Sequence, residues 1–311
     1  MTDDKVGMVA QAMGLAEAIG FATVRKTIAP AWPWKLLPAS VWPAWVSGAG
    51  AAGDPVDDGE PDLVVSCGRH AVGPALWVKR RCGGRPFLVH VQHPRVDPGR
   101  FDLIVAPKHD RLKGPNVIPI RGALNGVTEK KLEEAAARFA PTLAHLPRPL
   151  VAVLLGGDNS VYRLTDTVAE RLLHDLRRLC AENGAGLVVT PSRRTTPAVI
   201  DLLRHGLCDM PAKIWDSNGE NPYLGYLALA DAVLVTGDSV NMVSEACATG
   251  KPVYVVPLEG GDGSKFADFH RDLQDAGITR PFDGRLETWS YPPLNETERV
   301  AEEIRRRLEH R

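Results

Sequence analysis

The stretch Ala232 to Pro257, AVLVTGDSVNMVSEACATGKPVYVVP, constrains the fold more than any other part of the chain, because it reads as strand, tight turn, short helix, stop and second strand. The runs Ala232 to Thr236 and Val253 to Val256 are valine-rich without polar alternation, the pattern of parallel strands covered on both faces. Gly237, Asp238 and Ser239 make the turn, and Asp238 or Ser239 caps a helix that Gly250 and Pro252 close. Such a βαβ unit aims the helix N-terminus at the carboxyl edge of the sheet, where open α/β sheets bind ligands and free N–H groups favour phosphate. Glu245, further along the helix, offers a carboxylate to sugar hydroxyls. The plain alternative is that Asp238 only caps and Glu245 is a solvated surface residue.

The rest of the chain repeats the theme. Asp62 to Ser66, Pro86 to Val91, Asp102 to Ala106 and Asn116 to Ile120 are apolar runs ending in turn or polar residues. A helix over Thr128 to Ala140 leads into a proline-rich connector, and Leu150 to Leu155 restarts the alternation of strands and helices. At 311 residues and 44% hydrophobic, the chain can bury two cores. The expected fold class is α/β, with two Rossmann-like doubly wound domains over residues 1–147 and 148–294 and a cleft between them. Residues 295–311 form an amphipathic helix that would cross back to the first domain. One irregularity is the opening TDDKVG, which leads almost directly into a helical pattern. Either the first strand is supplied differently, or it lies upstream of this start.

A formal net charge of −1 gives no general attraction to nucleic acid, which is not expected as a partner. The five cysteines are scattered without CxxC spacing, as reduced thiols in a cytoplasmic protein would be. No apolar run approaches the roughly 20 residues that span a bilayer. The segment AWPWKLLPASVWPAWV places Trp32, Trp34, Trp42 and Trp45 among prolines, either packed on the first domain or forming a peripheral contact with the inner face of a membrane.

Two further loops follow strands of the second half. In GGDNS, Gly156, Gly157, Asp158 and Asn159 offer backbone N–H groups that can approach a phosphate or sugar, or simply a tight turn; the loop is neither a Walker loop nor a dinucleotide fingerprint. In TPSRRTT, Ser192, Arg193, Arg194 and Thr195 offer hydroxyls and guanidinium forks suited to phosphate, although arginine pairs are more often solvated. In NPYLGYLALAD, Asn221 caps a helix and Tyr223 packs or stacks on a base. The general-base candidates are His70, His93 and His109, each beside a strand end, of which one at most is expected to act; Asp110 and Glu17 are weaker. No metal-ligand cluster is present, and neither a metal nor another cofactor is expected.

QAMGLAEAIG, VQHPR, FDLIVAPKHD, LLGGDNS, TPSRRT and the long segment from Asn221 to Val255, in that order, resemble the mitochondrial-fission (elongated mitochondria) family and its bacterial members, whose domains look like GT-B glycosyltransferases. Members usually carry a strand where this chain has TDDKVG. The resemblance implies a nucleotide-diphosphate sugar as substrate on the second domain. Glu245 would then meet the ribose, and Gly237, Asp238, Ser239 and Asn241 would lie near the diphosphate. Gly156, Gly157, Asp158, Asn159, Ser192, Arg193, Arg194 and Thr195 would complete the donor site. The first domain would bind an unknown acceptor, either in solution or associated with a membrane. It equally implies two alternatives: a non-catalytic adaptor, as the plant relatives are thought to be, or a sugar-nucleotide 2-epimerase.

Overall fold

A computed structural model describes residues 1–37, 41–42 and 52–310. It divides into two compact units, one formed by residues up to Gly126 with those from Asn295 onward, the other by Val127–Leu294.

The first unit opens with α1 (Val6–Ile19), followed by β1 (Leu63–Cys67), α2 (Val72–Arg81), β2 (Phe87–Val91), β3 (Leu103–Pro107) and β4 (Val117–Ile120). The four strands pair in sequence order and all are parallel. Leu15 and Ile19 of α1 pack on Val89, Val91, Leu103 and Val105 from one side, while Ala75, Leu76 and Val78 of α2 cover Val64, Leu88 and Ile104 from the other. Burial on both faces is why β2 and β3 read as unbroken apolar runs. The polar interruption, His90, is buried, and its Nδ1 lies 2.9 Å from the Ser66 hydroxyl. Burial pulls its pKa down to about 3, so the ring stays neutral.

The irregular opening has a structural answer. Thr2 forms single parallel bridges to Cys67 on one side and Thr27 on the other. The Cys67 N–H donates to the Met1 carbonyl at 3.0 Å and the Ile28 N–H to the Thr2 carbonyl at 2.8 Å. Met1 to Asp3 therefore stand in the position of the first strand, as a stub too short to show a period of two. In the tryptophan segment, the Trp42 ring lies against Gly73 of α2, and Trp34 meets Trp42 edge-on at 5.9 Å. Trp32 is 81% exposed. Trp45 lies outside the described residues. Of the tryptophans grouped as a membrane contact, then, Trp34 and Trp42 are engaged with each other. Among the described residues, no helix is long and apolar enough to cross a membrane.

The second unit runs α3 (Glu129–Leu143), β5 (Leu150–Leu155), β6 (Tyr162–Arg163), α4 (Asp166–Asn183), β7 (Gly186–Pro191), α5 (Pro197–Gly206), β8 (Ala212–Ile214), α6 (Tyr223–Leu229), β9 (Ala232–Thr236), α7 (Val240–Cys247), β10 (Val253–Val256), β11 (Glu259–Gly260), α8 (Lys265–Asp275) and β12 (Thr279–Pro281). Its main sheet is parallel, in the order β12-β10-β9-β5-β7-β8, and β11 pairs with β6 in a small antiparallel ribbon. Alternate residues of β5 serve two cores: Val151, Val153 and Leu155 join Leu172, Leu176 and Leu203, while Ala152 and Leu154 join Tyr226, Val243 and Phe269. The division between units falls after Gly126 rather than near Pro147, because α3 packs on α6. A Cβ at Gly225 would lie 2.5 Å from the Phe139 ring, so only glycine permits this approach. The final helix, α9 (Glu296–Glu309), packs on α1 with Val300, Ala301 and Ile304 buried.

Candidate functional site

The loops after β5, β7 and β9 open at the carboxyl edge of the second sheet, since those strands are parallel neighbours. They are tied together by one buried carboxylate. Asp238 is 3% exposed; its Oδ2 accepts the Gly157 N–H at 3.1 Å and Nη2 of Arg194 at 2.5 Å. Its Oδ1 is buried and without a partner among the described residues. Burial raises its pKa, against the pull of Thr236 and Arg194. A Cβ at Gly156 would lie 2.1 Å from this carboxylate, which explains the glycine by close approach alone.

Several residues expected to face a ligand are instead engaged inside this knot. The Gly156 N–H donates to the Thr236 hydroxyl at 2.7 Å, so neither glycine N–H is free for a phosphate. Asp158 Oδ1 accepts the Leu164 N–H, and Asn159 accepts from Val161 and Tyr162 while donating to the Asp238 carbonyl at 3.0 Å. Thr195 is buried, its hydroxyl donating to the Leu155 or Gly156 carbonyl, and Ser192 Oγ accepts the Arg194 N–H. Gly237 is held from behind by His270 of α8, whose Nε2 lies 2.7 Å from the Gly237 carbonyl. Burial lowers the His270 pKa and keeps the ring neutral. Asp238 is not the cap of α7: Ser239 is, its hydroxyl accepting the Met242 N–H at 3.3 Å.

What faces outward is the opening turn of α7, including half-buried Asn241, and the exposed side chains of Arg193 and Arg194. The Arg194 side chain remains 41% exposed although its Nη2 is held by Asp238. A guanidinium fixed at one corner and a helix start are both anion-binding elements.

Glu245 is half-buried on α7 and not solvated as the plain alternative requires. Its Oε2 accepts the Tyr223 hydroxyl at 2.6 Å. Burial pushes its pKa up to about 7, with the Tyr223 hydrogen bond pulling the other way. Sequence reasoning gave Tyr223 to packing or stacking; its position in NPY, at the start of the helix before β9, was the only signal of this contact. Asn221, expected as the cap, stands one residue before the cap position, which Pro222 holds, and its Oδ1 accepts the Tyr223 N–H at 3.0 Å.

In the first unit the three histidines stand on separate loops. His93 Nδ1 accepts the Arg95 N–H at 3.0 Å, which in the neutral ring leaves the proton on Nε2. His70 Nδ1 lies 3.7 Å from Asp3 Oδ2, close enough for the carboxylate to favour the charged ring but too far for a hydrogen bond. Burial, then Arg69, lower the His70 pKa. His109 sits in a single turn after β3. Gln92 and Arg95 hold left-handed backbone, with φ of 83° and 57°, flanking His93. Among the described residues, no group of three or more His, Cys, Asp or Glu is placed to hold a metal ion.

The family model described as Mitochondrial fission ELM1 matches residues 6–308. The mitochondrial fission protein ELM1 of Arabidopsis thaliana is 36% identical over 277 residues, covering 80% of this chain and 64% of that protein. This chain thus spans less than two thirds of the plant relative's length. An uncharacterized protein of Rickettsia prowazekii is 28% identical over 292 residues, 81% of each chain. Among solved structures, the UDP-GlcNAc 2-epimerase of Methanocaldococcus jannaschii has a TM-score of 0.56 at 14% identity over 81% of this chain and 77% of that one. The UDP-GlcNAc 2-epimerase of Neisseria meningitidis has a TM-score of 0.50 at 12% identity over 99% of this chain and 90% of that one. These likenesses establish the fold: two Rossmann-like parallel α/β domains of the GT-B type.

Proposed function

The chain belongs to the mitochondrial fission ELM1 family, and from that premise we propose that the carboxyl edge of its second sheet binds a nucleotide-diphosphate sugar, whose sugar is transferred to an acceptor recognised by the first unit. The observation that carries this reading is the conjunction, on α7, of an anion-binding helix start beside Arg194 with a half-buried carboxylate further along the same helix. The N-terminal turn, Ser239, Asn241 and the outward edges of Arg193 and Arg194 take the diphosphate. Glu245 takes the ribose hydroxyls. Neighbours of the same fold support the choice of ligand, since their structures hold UDP-GlcNAc and UDP. In transfer, the acceptor oxygen forms a bond to the sugar's anomeric carbon as the bond to the diphosphate breaks. The acceptor proton passes to a base, for which His70, its pKa lowered by burial, is the candidate, and the arginines stabilise the departing diphosphate.

A second reading has its own observation. The two glycine N–H groups are engaged by Thr236 and Asp238, and Asp238 sets a buried negative charge in the loop cluster, as a non-catalytic adaptor that keeps only the fold would tolerate. Calorimetric and thermal-shift titration with UDP-, GDP- and CMP-sugars separates the two. The transferase reading expects saturable binding to one of them, with about 2.7 kcal/mol of stabilisation at a hundredfold excess over Kd. No response to any of the three leaves the adaptor.

A further inference from the structure

We propose that the Tyr223 hydroxyl is the positioning group for Glu245, holding one carboxylate oxygen so that the other meets the ribose of a bound nucleotide; this rests on the nucleotide reading above. The two oxygens of Glu245 are unequal. Oε2 takes the phenol hydrogen bond at 2.6 Å, whereas Oε1 has no hydrogen-bond partner among the described residues and is not one of the fully buried atoms. A carboxylate fixed through one oxygen presents the other in a single direction, as recognition of a sugar hydroxyl requires.

Tyr223 is itself held on both sides. Its N–H is taken by Asn221, and two residues on, Gly225 presses against Phe139 of α3, so α6 cannot slide without a clash. The phenol remains a donor, since burial and the adjacent carboxylate raise its pKa well above the ordinary value. Among the described residues Tyr223 is the titratable group that acts on Glu245, drawing its pKa down while burial drives it up. A phenol whose hydroxyl is tied to Glu245 serves the ribose end of the nucleotide, which sets this role apart from stacking on the base.

The test is calorimetric titration of the full chain with UDP, GDP and CDP and their 2′-deoxy counterparts between pH 6 and pH 8. The wild type is expected to bind the ribonucleotide about tenfold tighter than the deoxynucleotide, the worth of one charge-assisted hydrogen bond. Glu245→Gln abolishes that preference. Tyr223→Phe removes most of it and moves the pH at which the preference appears upward, because Glu245 has lost the donor that favours its charged form. Should the phenylalanine variant fold poorly, 3-fluorotyrosine at 223 keeps the shape, donates more strongly and moves that pH downward. A preference lost in Glu245→Gln but intact, with an unmoved pH midpoint, in both position-223 variants overturns the positioning role and leaves the nucleotide reading standing. Failure of the wild type to bind any of the three nucleotides overturns both.

Discussion

The carboxyl edges of the two sheets come from the same parallel architecture and are built in opposite ways. In the second unit, loops from three strands converge on the buried Asp238 carboxylate, which the exposed Arg194 meets from outside, and Ser239 and Tyr223 fix the ends of α7 and α6. In the first unit, His70, His93 and His109 stand on separate loops, with left-handed backbone at Gln92 and Arg95. The difference teaches where preorganisation lies. Under the proposed function, an edge tied together through a buried carboxylate suits a constant ligand such as a nucleotide diphosphate.

The largest expected effect that would break this contrast comes from the knot. Gly156→Ala drives a methyl group into the Asp238 carboxylate and should cost about 3 kcal/mol in urea unfolding. A cost below about 1 kcal/mol would mean that the loops give way easily and that the second edge is no more rigid than the first.

Acid should act on the two units with opposite sign. His90 has a folded pKa lowered to about 3, so the unfolded chain binds its proton first, and the stability it lends above about pH 6.5 is lost as pH falls toward 3. Glu245 has a folded pKa raised to about 7, so the folded chain binds its proton first, and stability is gained as pH falls from about 7 toward its ordinary value near 4.5. From pH 7 to pH 5 each contributes about 2 kcal/mol, in opposite directions. Hydrogen exchange, corrected for intrinsic rates, should show β1–β4 loosening while β5, β7 and β9 tighten. Parallel loosening of both sheets would contradict these assignments.

Much of the contrast was legible in the chain itself. The apolar runs of β5, β7 and β9 are unbroken because both faces are covered, and their polar ends put three loops on one edge. The inward turn of Asp238 was not legible, because its partner Arg194 is 44 residues away and only tertiary packing joins them. For the same reason Tyr223 could not be paired with Glu245. The stub at Thr2 carries too few residues for a pattern, and α3 presents apolar side chains that suit either unit until Gly225 opens a seat for Phe139. The tautomer of His93 depends on a backbone N–H two residues on, a matter of loop geometry rather than composition.

A smaller effect sharpens the picture at α7. Ser239→Ala removes the side-chain cap and should cost about 1 kcal/mol, together with weaker anion binding as the first turn frays. Unchanged melting temperature would show that the helix start is held by packing alone.

The central claim is tested most directly by following backbone amide resonances of the labelled chain as UDP-, GDP- and CMP-sugars are added in turn. The account predicts that one of them shifts Gly237 to Glu245, Arg193, Arg194 and Tyr223 in a saturable manner. Shifts confined to the loops of His70, His93 and His109, or no shift with any of the three, would contradict it.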